Sequence, residues 1–141
     1  MGAIAILYAS KHQQFKALVL EGLFANSYDL GEEMLNKKIG KRLAKFVGYA
    51  IFWIGSMIWS LGKFRHSRPM DHIAQVSPTP MMIIRGKNDE RVPEISFNKL
   101  LLAAGDPMEL WLHDGLHTKA FNQYPDEYKQ RVLKFLNKHT K

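Results

Sequence analysis

Three short, mainly apolar segments, separated by segments of helical character, constrain the fold more than any other feature of this sequence. They lie at 17–20, 81–84 and 108–112. Runs of this length, bounded by polar and glycine residues, are typical of buried strands. Segments of helical character lie at 2–10, 94–104 and 124–139. Strands that alternate with helices predict an α/β fold of about three parallel strands, flanked by helices that form right-handed crossovers.

The length and composition are those of a single globular domain. The chain has 141 residues, of which 46% are apolar and 23% are charged, a mixture that argues against a disordered or fibrous protein. Because it contains no cysteine, disulfides, thiolate metal ligands and cysteine nucleophiles are excluded. No secretory signal is visible in the sequence, and we expect a cytoplasmic protein.

The positive charge is concentrated in one segment. The net charge is +7, and the segment 34–70 contains eight basic residues and no acidic one. These residues are Lys37, Lys38, Lys41, Arg42, Lys45, Lys63, Arg65 and Arg68. A nucleic-acid-binding protein is expected to be more uniformly basic and to carry a recognition motif, neither of which is found here. We therefore expect no nucleic-acid partner.

Polar loops follow the second and third predicted strands. Asp89 lies in the loop 85–93, and His117 lies in the loop 114–117. Because functional groups of open parallel sheets collect beyond the carboxyl ends of the strands, we expect Asp89 and His117 to meet. An aspartate that holds a histidine in the tautomer able to deprotonate a nucleophile makes two members of a catalytic triad. Glu90 is the rival acid, and the other five of the six histidines are interpreted as surface groups.

The two loops share a specific pattern. Its residues are Gly86-x-x-Asp89-x-x-Val92-Pro93 and, after a short strand, Asp114-Gly115-x-His117. This pattern resembles the C-terminal half of the α/β-hydrolase superfamily, and it is most similar to the serine aminopeptidase-like and Bem46-like branch. The resemblance implies a partial α/β-hydrolase fold over 1–141, with Asp89 as the triad acid and His117 as the general base. It implies no metal and no organic cofactor.

The nucleophile of this superfamily belongs to a Gly-x-Ser-x-Gly motif on a sharp turn between a strand and a helix. Met1 and Gly2 match only its last two positions, so the serine would be the residue immediately before Met1. The resemblance also assigns the backbone of Met1 to the oxyanion hole. None of the seven serines of this chain has the flanking residues of the motif. We therefore expect a truncated, catalytically incomplete serine hydrolase-like chain, which either lacks an N-terminal half or associates with itself.

The basic segment 34–70 lies where α/β-hydrolases insert a cap between strands, and the resemblance implies a cap here. Its part 46–62 carries no formal charge over 17 residues and contains Trp53 and Trp59. This is shorter than the about 20 residues that span a bilayer. We expect a helix that lines an apolar pocket or contacts an anionic membrane surface through 37–68. A transmembrane helix is the alternative.

The resemblance implies that a full-length relative of this chain hydrolyses a small-molecule substrate. This substrate is an ester, thioester or amide with an apolar acyl group. Two other classes of function stay open. One is a non-catalytic binding or scaffold module that reuses the half-fold, which a stable monomer would favour. The other is a small membrane-associated protein, which resistance to a carbonate wash of membranes would favour.

Overall fold

The strands that the structure describes form one parallel sheet. The computed structural model describes residues 2–12, 14–26, 31, 35–36, 39–58 and 68–140. Its strands are β1 (Leu18–Glu21), β2 (Met81–Gly86) and β3 (Met108–His113), and its helices are α1 (Gly2–Ala9), α2 (Lys41–Ile58), α3 (Glu94–Ala103), α4 (Ala120–Gln123) and α5 (Pro125–His139). Two 3-10 turns, Pro69–Asp71 and Ile73–Val76, precede β2. The order in the sheet is β1-β2-β3, and the predicted α/β class is confirmed.

The two faces of β2 belong to the two halves of the hydrophobic core. Every residue of this central strand is buried. Met81 and Ile83 pack with side chains of α1 and α3, whereas Met82 and Ile84 pack with Phe135 of α5. Because side chains alternate across a strand, a strand covered on both faces requires a continuous apolar run. That requirement explains why this strand could be predicted from sequence.

The first helix packs closely on the end of β1. Ile6 and Ala9 of α1 are buried in the core. A Cβ atom on Gly2 would lie 2.6 Å from Cδ2 of Leu23, so any larger residue would force that leucine to move. This approach places the beginning of α1 beside the carboxyl end of β1.

The structure differs from the sequence-based prediction in a few places. The strands β2 and β3 extend to Gly86 and His113, one or two residues beyond the apolar runs. The short helix α4 was not predicted, because four residues are too few to show a helical period. Of the segment 34–70, for which a cap is predicted, the structure describes 35–36, 39–58 and 68–70, whereas Met1, Lys37, Lys38 and 59–67 lie outside the described residues.

No helix in the described part of the chain is long and apolar enough to cross a membrane. The longest one, α2, has 18 residues, but it begins with Lys41 and Arg42 and carries Lys45 in its second turn.

Candidate active site

Asp89 is held in a fixed orientation by hydrogen bonds to both oxygens of its carboxylate. Its side chain is 2% exposed. Oδ1 accepts hydrogen bonds from the backbone N–H groups of Arg91 at 2.9 Å and Val92 at 3.0 Å. Aspartate favours such turns because its side chain satisfies N–H groups a few residues ahead. Oδ2 is thereby directed to His117, whose Nδ1 lies 2.7 Å away.

His117 presents its second ring nitrogen to the end of β1. Since a carboxylate can only accept, Nδ1 carries the proton and Nε2 of the neutral ring keeps its lone pair. The side chain is 21% exposed, so the ring can be reached from outside. A Cβ atom on Gly22 would lie 3.0 Å from Cε1 and 3.5 Å from Nε2 of this ring. The ring can therefore take a proton from a nucleophile placed beside β1.

Close contact between the loops after β2 and β3 sets the distance between acid and base. The N–H of Asn88 donates to the carbonyl of Gly115 at 3.1 Å, and its side-chain amide donates to the carbonyl of Asp114 at 3.2 Å. A Cβ atom on Gly86 would lie 2.6 Å from the carbonyl oxygen of Leu116. Glycine at the end of β2 is therefore required for the histidine loop to cross at this point.

The end of β1 holds the histidine loop from the other side. Oε1 of Glu21 accepts a hydrogen bond from the N–H of Ala120 at 3.0 Å. Gly22 has a φ of 70°, and a Cβ atom there would lie 2.5 Å from Cγ2 of Thr118. Both its backbone conformation and this close approach require glycine. The sequence does not predict this role of Glu21. The only indication of it in the sequence is a carboxylate directly after an apolar strand.

An apolar groove of about 900 Å³ opens between α1 and β1. Its lining includes Ile4, Tyr8, Phe15, Leu18, Val19 and Phe24. His117 and Gly22 also line this groove, so the candidate base faces it. A group bound in the groove next to β1 would lie within reach of the imidazole.

Solved structures of hydrolases resemble this one over nearly the whole chain. The esterase Pf2001 of Pyrococcus furiosus superposes with a TM-score of 0.68 at 19% identity, over 98% of this chain and 50% of the esterase. The α/β hydrolase GrgF of Penicillium superposes with a TM-score of 0.62 at 16% identity, over 98% of this chain and 60% of GrgF. This chain has a partial α/β-hydrolase fold. It spans about half the length of the esterase.

Sequence similarity to curated proteins extends over a shorter part of this chain than the structural similarity does. YfhR of Escherichia coli K12, an uncharacterized protein, is 37% identical over 68 residues, which are 47% of this chain and 24% of YfhR. No model of a protein family matches the sequence. The likeness to the solved hydrolases establishes the fold, while activity depends on the site itself.

Arg85, near the end of β2 in this hydrolase fold, supports the loop that carries Asp89. Its guanidinium is buried 4.4 Å from the centre of the Phe97 ring. Nη2 donates a hydrogen bond to the carbonyl of Val92 at 3.0 Å. Burial lowers the pKa of Arg85, and the carboxylates of Asp89 and Glu94 oppose that shift. Since Val92 in turn donates to Asp89, Arg85 is a positioning residue for the acid.

His113, at the end of β3, is buried, which corrects its interpretation as a surface group. It is 4% exposed, and neither ring nitrogen has a hydrogen-bond partner among the described residues. It follows Trp111 by two residues, so both side chains point to the same side of the sheet, toward α5. The ring of Tyr124 lies 5.5 Å away. Burial lowers the pKa of His113, although nearby carboxylates oppose the shift.

Replacing His113 with leucine is expected to make the stability less sensitive to acid. Because the pKa of His113 is lowered, the folded chain binds this proton only at a lower pH than the unfolded chain, whose histidine is protonated below the ordinary value of 6.5. The free energy of unfolding of the native sequence therefore falls as the pH decreases below this value. The slope contributed by this one group is at most about 1.4 kcal/mol per pH unit.

Urea titrations of dilute protein at a series of pH values would measure this slope for the native sequence and for His113→Leu. Leucine at the exposed, non-titrating Gln130 (Gln130→Leu) is the control, and it should leave the slope unchanged. Equal slopes for the native sequence and His113→Leu would contradict the expectation.

The structure brings the two predicted triad residues into contact. Asp89 is buried against His117, whereas the rival acid Glu90 is exposed. Met1, which the resemblance assigned to the oxyanion hole, lies outside the described residues. In the part of the chain that the structure describes, no three His, Asp or Glu side chains are grouped so that they could hold a metal ion.

Proposed function

We propose that this chain supplies the acid and the base of a serine hydrolase, and that the nucleophilic serine belongs to a segment outside these 141 residues. The observation that carries the proposal is the 2.7 Å contact between Oδ2 of Asp89 and Nδ1 of His117. Such a pair at the carboxyl ends of parallel strands is suited to deprotonate a nucleophile. Since the sequence contains no Gly-x-Ser-x-Gly motif, the chain by itself would be catalytically incomplete.

The groove beside β1 suits a strand that carries the serine. Among the described strands, β1 pairs with β2 alone. The N–H of Leu18 donates to the carbonyl of Pro80 at 2.9 Å, toward β2. The N–H and C=O groups of Val19, one residue later, therefore point away from β2 into the groove. A parallel strand bound to them would end near Gly22 and His117, where its turn would carry the serine.

In the proposed reaction, Nε2 of His117 accepts the serine proton while the serine oxygen attacks the carbonyl carbon of the substrate. Asp89 keeps the ring oriented and stabilises the imidazolium. His117 then donates that proton to the leaving alcohol, thiol or amine, and an acyl-enzyme remains. Water, deprotonated by the same nitrogen, hydrolyses the acyl-enzyme, and His117 returns the proton to the serine. Backbone N–H groups after the serine, including that of Met1, would stabilise the oxyanion.

The proposed substrate is an ester, thioester or amide with an apolar acyl group. The Asp89 and His117 motifs support the serine aminopeptidase-like and Bem46-like branch, and the similarly folded Pf2001 is named an esterase. The uncharged part 46–62 of the predicted cap supports an apolar acyl group. In this proposal the segment 34–70 forms the cap.

The proposal is tested by joining the N-terminal half of an α/β-hydrolase, ending in Gly-x-Ser, directly before Met1. This fusion is called the completed hydrolase below. We expect it to hydrolyse p-nitrophenyl esters and to react with a fluorophosphonate at the added serine. The 141-residue chain alone should do neither. The same fusion with alanine in place of the added serine is the control, and it should be inert.

Two results would contradict the proposed function. One is stoichiometric labelling of a serine within the 141 residues, because the nucleophile would then belong to this chain. The other is a completed hydrolase that unfolds cooperatively and yet neither labels nor hydrolyses esters.

A further inference from the structure

The helix α2 exposes an apolar stripe. Leu43, Phe46, Ala50, Ile54 and Met57 recur at spacings of three and four residues, which places them on one face of the helix. All five side chains are exposed, and 74% of Phe46 and 73% of Met57 are open to solvent. A helix of a globular protein ordinarily turns such a stripe to the core. None of the other described helices and strands packs extensively against α2.

Positive charge accompanies this stripe. Arg42 and Lys45 are exposed in the first turns of α2, and Lys41 begins the helix. The surrounding segment 34–70 contains eight basic residues and no acidic one. The helix dipole disfavours cations at the N-terminal end of a helix, so these residues do not serve the stability of α2 itself. A negatively charged partner would offset this unfavourable placement.

We propose that α2 lies in the plane of an anionic lipid surface, with its apolar stripe inserted and with Arg42 and Lys45 at the headgroups. An exposed apolar face beside basic residues is the pattern of helices that bind at membrane interfaces. The exposed ring of Trp53 suits the headgroup level, where amphipathic aromatic residues collect. The helix is not long and apolar enough to cross the membrane, which is consistent with binding along the surface.

A second copy of the chain fits this face less well than a lipid surface does. A symmetric contact between two copies would bring the same basic segments together, and like charges at an interface are repulsive. The inference does not rest on the proposed function, since α2 contains neither Asp89 nor His117.

Flotation with vesicles tests this inference, because aggregated protein sediments and does not rise with the lipid. We expect the chain to float with vesicles of phosphatidylcholine and phosphatidylserine and not with phosphatidylcholine alone. In a chain that carries Trp59→Phe, the fluorescence of Trp53 should shift to shorter wavelength on binding, whereas Trp111 is already buried. The double variant Phe46→Ser/Met57→Ser should bind at least about 10-fold more weakly. The double variant Arg42→Gln/Lys45→Gln, which removes two positive charges, should weaken binding about 30-fold.

Matched variants on other helices separate this face from general effects. Leu102→Ser with Leu133→Ser removes exposed apolar groups elsewhere, and Lys129→Gln with Lys134→Gln removes two charges from α5. Both pairs should bind vesicles as the native sequence does.

Four results would overturn the inference. They are no flotation of the native chain, equal binding to vesicles without phosphatidylserine, native binding by the α2 variants, and equal loss in the matched variants. Similar urea unfolding curves for all variants would show that misfolding is not the cause of a lost signal.

Discussion

In the completed hydrolase, replacing His117 with alanine is expected to lower kcat by about 10⁴-fold or more, because Nε2 is the group that accepts the serine proton. Asp89→Asn is expected to lower kcat by about 10⁴-fold. The asparagine oxygen would keep the hydrogen bonds from the N–H groups of Arg91 and Val92. The NH₂ group of the asparagine would then face Nδ1 of His117. The ring proton would move to Nε2, where it blocks the base. Steady-state hydrolysis of a p-nitrophenyl ester measures both effects.

Glu90→Gln is the matched control for Asp89→Asn. It removes the adjacent carboxylate of the same loop, which is exposed and one position away from the acid. We expect little change in kcat. An equal loss in Glu90→Gln would show that the acid is wrongly assigned, and a retained rate in His117→Ala would contradict the proposed function. Because Asp89 is buried, urea unfolding of each variant should accompany the kinetics, so that a loss of folded protein is recognised.

The 141-residue chain alone is expected to self-associate through the groove between α1 and β1. Among the described strands one edge of β1 is unpaired, and Ile4 and Tyr8 expose large apolar surfaces beside it. An apolar edge recruits other chains. Each large side chain left exposed forfeits about 1.5–3 kcal/mol of burial. That is a considerable part of the about 5–15 kcal/mol that stabilises a domain.

Analytical sedimentation measures this association. It should show oligomers for the chain alone and a monomer for the completed hydrolase, in which a strand covers β1. A monodisperse monomer of the chain alone that unfolds cooperatively would contradict the expectation, and it would favour a non-catalytic binding module.

Two proline substitutions locate the associating edge. The N–H of Val19 points away from β2, so Val19→Pro removes a donor that only an added strand would use. This variant should associate less than the native chain. The N–H of Leu20 points to β2, so Leu20→Pro removes a hydrogen bond within the sheet and should lower the free energy of unfolding instead. Unchanged association of Val19→Pro would show that another surface is responsible.

The sequence by itself determined the class of fold and the two candidate catalytic residues. A strand covered on both faces needs an apolar run, and the buried strand β2 shows one directly. Asp89 and His117 are 28 residues apart, yet they meet because parallel strands end at the same edge of the sheet. The buried strand could be predicted because consecutive residues show it. The contact between Asp89 and His117 could be predicted because it follows from the order of the strands.

Only the tertiary structure decided the roles of Glu21, Arg85 and His113. Glu21 bonds to Ala120, 99 residues later, and no local pattern indicates such a pairing. Arg85 acts on the acid through the carbonyl of Val92, seven residues later in the loop that carries Asp89. His113 is followed by polar residues and resembles the start of a loop, but strand alternation turns it into the core. The sequence could not reveal these roles, because burial and hydrogen-bond partners depend on which distant segments come to lie side by side.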